Sequence, residues 1–65
     1  MSNSNKIEKI IVTNGWVLVR VNGSHYQYQH PDNPNTITIP RHKGKDLSIG
    51  VIKNLEKLTG LSLRR

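Results

Sequence analysis

Residues 16–30 read WVLVRVNGSHYQYQH, and this stretch decides the fold. Its first six residues favour a β-strand, because branched and aromatic side chains predominate. Asn22-Gly23 follows and is the best short-range signal for a two-residue hairpin turn. After the turn, polar and aromatic side chains alternate, which predicts a second strand with the tyrosines towards the core and His25 towards water. The stretch therefore predicts an antiparallel hairpin with one solvent-exposed face.

The residues after the hairpin predict a turn and a third strand. Residues 31–35, PDNPN, have turn composition throughout. Residues 36–39 alternate threonine and isoleucine, which predicts a strand, and Pro40 ends it. We expect this strand to extend the hairpin into a three-stranded meander.

Helical patterns flank the three strands. Asn5 followed by Glu8 predicts a helix start, with Asn5 as the N-cap and Glu8 as the reciprocal carboxylate. Gly15 predicts a left-handed end to this helix. Near the C-terminus, Ser48 is predicted to be the N-cap of a second helix and Gly60 to end it.

The predicted order α-β-β-β-α indicates the α+β class, as a single domain over residues 1–65. Both helices must bury an apolar stripe, and one sheet face is polar at the second strand. The economical arrangement is a three-stranded antiparallel sheet with two helices on one face. A chain of 65 residues has a thin core, and this one has no cysteine to reinforce it.

Charge and composition limit the classes of partner that the chain is expected to bind. Ten Lys and Arg stand against four Asp and Glu, a net charge of +6, which favours RNA, DNA or an acidic protein as partner. The longest apolar run is residues 16–19, so we expect no membrane association. The absence of cysteine favours a cytoplasmic location, because nothing in the chain depends on an oxidising compartment. The three histidines lack metal-ligand spacing and cysteine is absent, so we expect no metal site and no cofactor.

His25 is the sharpest candidate for chemistry. It follows a tight turn on the predicted solvent face, and histidine gives or takes a proton near neutral pH. RNA cleavage needs a base for the ribose 2′-OH and cations for the developing charge. From the residues alone, an ordinary exposed histidine in a strand is the favoured interpretation, and catalysis is the alternative.

Other candidates could bind substrate phosphates. Gly23 leaves bare backbone for a phosphate to approach, or serves turn geometry alone. Ser24 has a hydroxyl that can donate to a phosphate, or it simply ends the turn. A basic segment before the second predicted helix combines cations with a helix N-terminus, although such runs are often just solvated. The cations and histidine of this segment are Arg41, His42, Lys43 and Lys45.

Several short segments together resemble a known family, the HicA toxins of HicA/HicB toxin–antitoxin systems, also called YcfA-like. The Gly23-Ser24-His25 step, followed at this distance by the step at residues 39–42, is the most specific part. The matching segments are Gly15-Trp16, Gly23-Ser24-His25, Tyr28, His30-Pro31, Ile39-Pro40-Arg41-His42 and Leu58-Thr59-Gly60-Leu61.

The resemblance implies more than the spacing does. The fold would resemble a double-stranded-RNA-binding domain (dsRBD). The activity would be that of an mRNA interferase, a metal-independent endoribonuclease that inhibits translation as the toxin of a type II system. The family's catalytic histidine falls on His25 and the preceding glycine on Gly23. The partners would be mRNA and a HicB-type antitoxin that covers the active face.

One departure from the family pattern stands beside the catalytic position. Many members have a second histidine directly after the first, whereas this chain has Tyr26. Two other functions therefore stay open. The first is that of a non-catalytic RNA-binding module of dsRBD-like fold. The second is that of an interaction protein whose basic face contacts only an acidic partner.

Overall fold

The computed structural model describes residues 4–41 and 46–63. The three strands form one antiparallel sheet in the order β1-β2-β3. The predicted α+β class and the order α-β-β-β-α are confirmed. The elements are α1 (Ser4–Thr13), β1 (Val17–Asn22), β2 (His25–His30), β3 (Asn33–Pro40) and α2 (Ile49–Thr59).

Both helices pack against one face of the sheet. Tyr28 lies opposite Ile37 and Tyr26 opposite Ile39, and residues paired across two strands share a face. Tyr28, Ile37 and Ile39 are buried in one cluster with residues of both helices. The predicted arrangement of two helices on one face is therefore confirmed. The cluster contains Ile7, Ile11, Trp16, Tyr28, Ile37, Ile39, Ile52, Leu55 and Leu63.

The first helix begins earlier than the sequence predicts. α1 already includes Ser4, so Asn5 lies inside its first turn and the predicted capping role of Asn5 and Glu8 is wrong. Both side chains have tertiary partners instead. The Asn5 Oδ1 accepts a hydrogen bond from Arg41, and the Glu8 carboxylate accepts one from the Tyr28 hydroxyl. These long-range contacts outweigh the local capping preference.

The helix ends follow the sequence. Gly15 has φ +97°, its N–H donates to the Val12 carbonyl at 3.0 Å, and the Trp16 N–H donates to the Ile11 carbonyl at 3.2 Å. This pair of bonds is the Schellman ending that a left-handed glycine permits. The ending turns the chain so that Trp16 is buried in the core.

The second helix has the predicted caps at both ends. The Ser48 hydroxyl accepts a hydrogen bond from the Val51 N–H at 3.3 Å. Gly60 is left-handed, with φ +74°, and its N–H donates to the Glu56 carbonyl at 2.8 Å. The bounds predicted for α2 are confirmed.

The hairpin loop lies one residue later than predicted. Asn22 pairs with His25, so the two-residue loop is Gly23-Ser24 and not Asn22-Gly23. Gly23 has φ +61°, and no other residue in the loop has a positive φ. A hairpin turn with a positive φ only at its first central position puts glycine there. The predicted hairpin is thus present, with a shifted loop.

The third strand is longer than predicted. β3 begins at Asn33, so residues 33–35 belong to a strand and the predicted turn shrinks to Pro31 and Asp32. Proline is tolerated because β3 is an edge strand, where an N–H facing away from the sheet is not needed. The side-chain amides of Asn33 and Asn35 donate to the Leu58 carbonyl at 2.9 and 3.3 Å, which ties this strand to α2.

Candidate functional site

His25 lies at the hairpin end of β2, on the sheet face opposite the helices. Tyr26 and Tyr28 face the helices, so the alternation of side chains along β2 places His25 on the other face. The residue is exposed, and its ring makes no hydrogen bond to any residue that the structure describes. Both ring nitrogens are therefore accessible from water on this side of the molecule.

The open face, defined as the sheet face opposite the helices, is polar around His25. Gln27 lies two residues along the strand, opposite Arg20 on β1 and Thr38 on β3. Farther along, the Gln29 amide donates to the Thr36 hydroxyl at 3.2 Å. None of the three strands contains a carboxylate. A bound anion would meet no fixed negative charge from the strands.

Arg20 is a candidate that sequence reasoning missed. The pairs Asn22–His25 and Arg20–Gln27 place Arg20 and His25 on one face as diagonal neighbours. Diagonal positions on adjacent strands are about 7–8 Å apart, which a long side chain can span. The signal was available, because a two-residue turn at either Asn22-Gly23 or Gly23-Ser24 puts Arg20 and His25 on the same face of the hairpin.

The hairpin loop beside His25 is open. A Cβ built on Gly23 would meet no atom within 4 Å, so space lies next to this backbone. Ser24 is partly buried, and its carbonyl accepts a hydrogen bond from the Arg41 N–H at 2.7 Å. The structure thus brings Gly23 and Ser24 next to His25, as the sequence predicts.

Arg41 lies next to the hairpin, but its guanidinium points to the other side of the sheet. It stacks over the Tyr26 ring, 4.8 Å from the ring centroid, and its Nη1 lies 3.3 Å from both carboxylate oxygens of Glu8. Asn5 accepts a further hydrogen bond from this side chain. The structure does not bring this guanidinium to the His25 ring, and phosphate binding by Arg41 stays a prediction.

Glu8 is the second residue that sequence reasoning missed, since the local pattern suggested only a cap. Its carboxylate joins Arg41 to the Tyr28 hydroxyl beneath the sheet. Burial, followed by the hydrogen bond to Glu8, raises the pKa of Tyr28 above its ordinary value of 10.0. The phenol is therefore a neutral donor to Glu8 at physiological pH. This network fixes α1 against the strand that carries His25.

His42, Lys43 and Lys45 lie outside the described residues. Their role as phosphate ligands therefore stays a prediction from the sequence. The described residues on either side, Arg41 and Asp46, bracket the segment. Arg41, the last described residue before the segment, donates its backbone N–H to the Ser24 carbonyl of the hairpin loop.

His30, at the far end of β2, has a different environment. Its Nε2 lies 3.0 Å from the Asn14 carbonyl, and its Nδ1 accepts a hydrogen bond from the Asp32 N–H at 2.9 Å. Because a carbonyl only accepts and an N–H only donates, the proton must be on Nε2. The ring also packs edge-on against Trp16, with centroids 5.3 Å apart. His30 therefore fastens the end of α1 to the β2–β3 turn.

A shallow cavity of about 240 Å³ lies at this far end of the sheet. It contains none of the predicted site residues, and the His30 ring in its wall has its own protein partners. The cavity is therefore separate from the hairpin site. Its lining consists of Asn14, Trp16, His30, Asp32, Asn33, Thr59 and Leu61.

Two further properties concern the described residues alone. Over residues 4–41 and 46–63, no three His, Asp or Glu side chains come together as a metal site would require. No helix in these ranges is long and apolar enough to cross a membrane.

Comparison with known families gives a match over most of the chain. The profile of a family described as "HicA toxin of bacterial toxin-antitoxin" matches residues 4–61. The chain belongs to the HicA toxin family. The match spans all five elements, so this HicA toxin has the family's sequence pattern from α1 to the end of α2. Membership gives the chain a toxin role and implies an antitoxin partner. No curated protein matches the chain.

Proposed function

We propose that this HicA toxin is a metal-independent endoribonuclease that cleaves mRNA and thereby inhibits translation, with His25 as general acid or base. The observation that carries the proposal is the exposed His25 ring, unpartnered among described residues, on a face whose strands hold no carboxylate. An imidazole in water can exchange protons, and a face without negative charge admits a phosphodiester.

The proposed reaction uses the RNA's own ribose as nucleophile. His25 removes the proton of the 2′-OH, the O2′–P bond forms, and the P–O5′ bond breaks. The leaving O5′ takes up a proton, and the product is a 2′,3′-cyclic phosphate. Such a step balances without an oxidant, a metal ion or a cofactor. General acid–base catalysis of this type contributes roughly 10²–10⁴-fold to the rate.

Substrate phosphates would be bound around the hairpin. Gly23 offers open backbone, Ser24 a hydroxyl, and Arg20 a cation on the same face as His25. We include His42, Lys43 and Lys45 in this group because they follow the hairpin's partner strand in the chain. For Arg41 we propose a positioning role, since its backbone N–H holds the Ser24 carbonyl while its side chain contacts α1.

A HicB-type antitoxin would neutralise this activity by covering the open face, in the cytoplasm where mRNA is translated. Complex formation should then protect the His25 ring from chemical modification. His30 is the internal reference, because both of its ring nitrogens already have protein partners. If the antitoxin leaves His25 as reactive as in the free toxin, inhibition proceeds by another route.

The test is cleavage of a defined single-stranded RNA in excess EDTA. We expect the wild type to cut and His25→Ala to be slower by roughly 10²–10⁴-fold. Lys53→Ala is the matched surface control, because Lys53 is an exposed residue of α2. Equal cleavage by His25→Ala, or cleavage only with added Mg²⁺, would overturn the mechanism.

Arg20→Ala tests the binding half of the proposal. A cation that contacts one phosphate contributes about one unit to the slope of log affinity against log salt. We expect Arg20→Ala to weaken RNA binding and reduce that slope by about one, and Lys53→Ala to leave the slope unchanged. An unchanged slope for Arg20→Ala would remove Arg20 from the RNA interface.

A non-catalytic RNA-binding module is the second candidate, and the presence of Tyr26 favours it. The ring of Tyr26 lies beneath Arg41, at the position where many members of the family have a second histidine, and a phenol does not supply the proton exchange of an imidazole. In this case, both the wild type and His25→Ala bind RNA and neither cuts it. A chain that binds no RNA even at low salt would instead be an interaction protein for an acidic partner.

A further inference from the structure

β1 is exposed along its whole length although it is mostly apolar. All six of its residues are exposed. Four of them are apolar, with exposed fractions between 44% and 57%. A continuous apolar strand open to water is unusual in a protein of this size and marks a site of association. The four residues are Val17, Leu18, Val19 and Val21.

The exposure follows from where the helices lie. β1 is an edge strand, and the described residues provide no strand on its outer side. Leu18 pairs with Tyr28 and Val21 with Tyr26, so both side chains point to the face that the helices cover elsewhere. The helices contact β3 most closely, and the helix layer stops short of β1. Leu18 and Val21 therefore extend an apolar face that the chain does not bury.

The opposite edge of the sheet is closed. β3 contains Pro34 and Pro40, which have no N–H to donate to another strand. Its asparagines are also fastened to the end of α2. β1 has neither protection, since it contains no proline and neither described helix covers it. The sheet thus has one edge closed to pairing and one edge open to it.

The charge of the chain indicates whether the partner at β1 is a second copy of this chain or another protein. Each copy carries a net charge of +6, so two copies repel each other, and the only charge on β1 is Arg20. The register shift at Val19 also discourages flat pairing between identical edges. A strand with apolar side chains and carboxylates complements both the apolar surface and the charge.

We propose that β1 is the docking edge for a β-strand of an acidic partner protein, the antitoxin, which extends the toxin sheet by one strand. The inference rests on the toxin role, because that role supplies the partner. β-strand addition gives affinity through backbone hydrogen bonds and specificity through alternate side chains. Asn22, the last residue of β1, pairs with His25, so a strand docked on β1 lies beside the proposed catalytic residue.

Backbone hydrogen exchange tests strand addition directly. The probe is the antitoxin that pairs with this toxin, mixed with the full toxin chain. We expect β1 amides that exchange rapidly in the free toxin to slow by at least roughly tenfold in the complex, because they gain strand partners. A complex in which β1 amides exchange as before would overturn the proposal. So would slowing that depends on the concentration of the toxin alone, since this would assign the edge to a second copy.

Leu18→Asp tests the side chains of the same edge. A carboxylate at this position would be buried in an apolar contact and would repel the carboxylates of an acidic partner. We therefore expect antitoxin binding to weaken by roughly tenfold or more. Ile49→Asp is the matched control, because Ile49 is a similarly exposed apolar residue, on α2. Equal antitoxin affinity of Leu18→Asp and the wild type would overturn the proposal.

The two proposals fail in different ways. Leu18→Asp should cleave RNA like the wild type and resist inhibition by the antitoxin, and thermal unfolding checks that it folds. If the wild type cuts no RNA while β1 amides are still protected in the complex, the ribonuclease proposal fails and the docking edge stands. If RNA is cut and β1 stays unprotected, the reverse holds.

Discussion

His25 and His30 begin and end the same strand, yet their surroundings have almost nothing in common. His25 is exposed on the open face, with no hydrogen bond to a described residue. His30 has both ring nitrogens engaged by backbone groups and its ring against Trp16. A histidine whose two nitrogens have protein partners has no free site for a substrate proton. The comparison therefore supports the proposal of chemistry at His25 and gives His30 a structural role.

The difference depends on the elements that each histidine meets. The register shift between Tyr28 and His30 breaks the alternation of β2, and His30 opposes Asn33 next to the turn. There it reaches the end of α1, where Asn14 supplies a carbonyl. His25 opposes Asn22 and Pro40, which provide it with no such partner. Two residues of one type thus acquire separate roles from their neighbours alone.

The largest expected effect is the contrast between His25→Ala, which should lose activity, and His30→Ala, which should lose stability. His25→Ala should abolish most cleavage and leave the melting temperature unchanged. His30→Ala should lower the free energy of unfolding by about 2–4 kcal/mol, because two hydrogen bonds and a ring contact are lost. In a domain of this size that is a fall in melting temperature of roughly 10 °C or more.

Cleavage rates must be compared at a temperature where both variants are folded, as circular dichroism shows. Under that condition His30→Ala should cut RNA nearly as fast as the wild type. The comparison breaks if His30→Ala loses activity while folded, or if His25→Ala melts much earlier than the wild type.

A second prediction concerns the glycine that faces His30. A Cβ on Gly15 would lie 2.8 Å from the His30 Nε2, and Gly15 also has φ +97°. Gly60 has a similar φ of +74°, but nothing lies within 4 Å of its Cβ position. We expect Gly60→Ala to cost about 1–2 kcal/mol from backbone strain alone. Gly15→Ala should cost roughly 1–3 kcal/mol more, because His30 must move.

Chemical denaturation of both glycine variants measures this difference. The double variant Gly15→Ala/His30→Ala gives a sharper test. The clash disappears with the ring, so the losses of unfolding free energy of the two single variants should not add. Additive costs, or equal costs for Gly15→Ala and Gly60→Ala, would show that His30 does not constrain this turn.

The smallest expected effect lies between the two histidines, at Tyr28. The pKa of Tyr28 is raised above 10.0 in the folded protein, so the folded state keeps a proton that the unfolded state releases. Stability from this group is complete below about pH 10 and is lost as the pH rises further. Tyr28→Phe should flatten the alkaline loss and cost about 1 kcal/mol at neutral pH, since Glu8 loses a donor.

Urea denaturation at a series of pH values from 7 upward follows this effect. Tyr26→Phe is the control, because Tyr26 lies on the same face of the same strand and makes no hydrogen bond to Glu8. It should keep the alkaline loss of the wild type. Parallel curves for Tyr28→Phe and the wild type would mean that another group causes the alkaline loss.

The sequence predicts the parts of this fold that depend on local rules. Gly15, Ser48 and Gly60 have their predicted capping roles because backbone conformation and short-range hydrogen bonds decide them. The start of α1 and the length of β3 were mispredicted because distant residues decide both. Asn5 is engaged by Arg41, and Asn33 is fastened to the end of α2.

The candidate site divides in the same way. The sequence already places His25, Gly23 and Ser24 close together, because they are neighbours in one hairpin. Phosphate binding by Arg41 stays a prediction, since charge alone does not show where a guanidinium points. Its partner Glu8 lies 33 residues away, and no local pattern joins the two. Arg20 required the register of the hairpin, which the spacing contained.

The path from Asn5 through Arg41 to Ser24 makes the first turn of α1 a useful place for a reporter. Asn5 contacts the Arg41 side chain, and the Arg41 backbone contacts the hairpin loop. Ser4 precedes this path in α1, which packs on the helix side of the sheet and contacts β3. A fluorophore attached at Ser4 would therefore sense movement of the hairpin when RNA or the antitoxin binds, without occupying the open face.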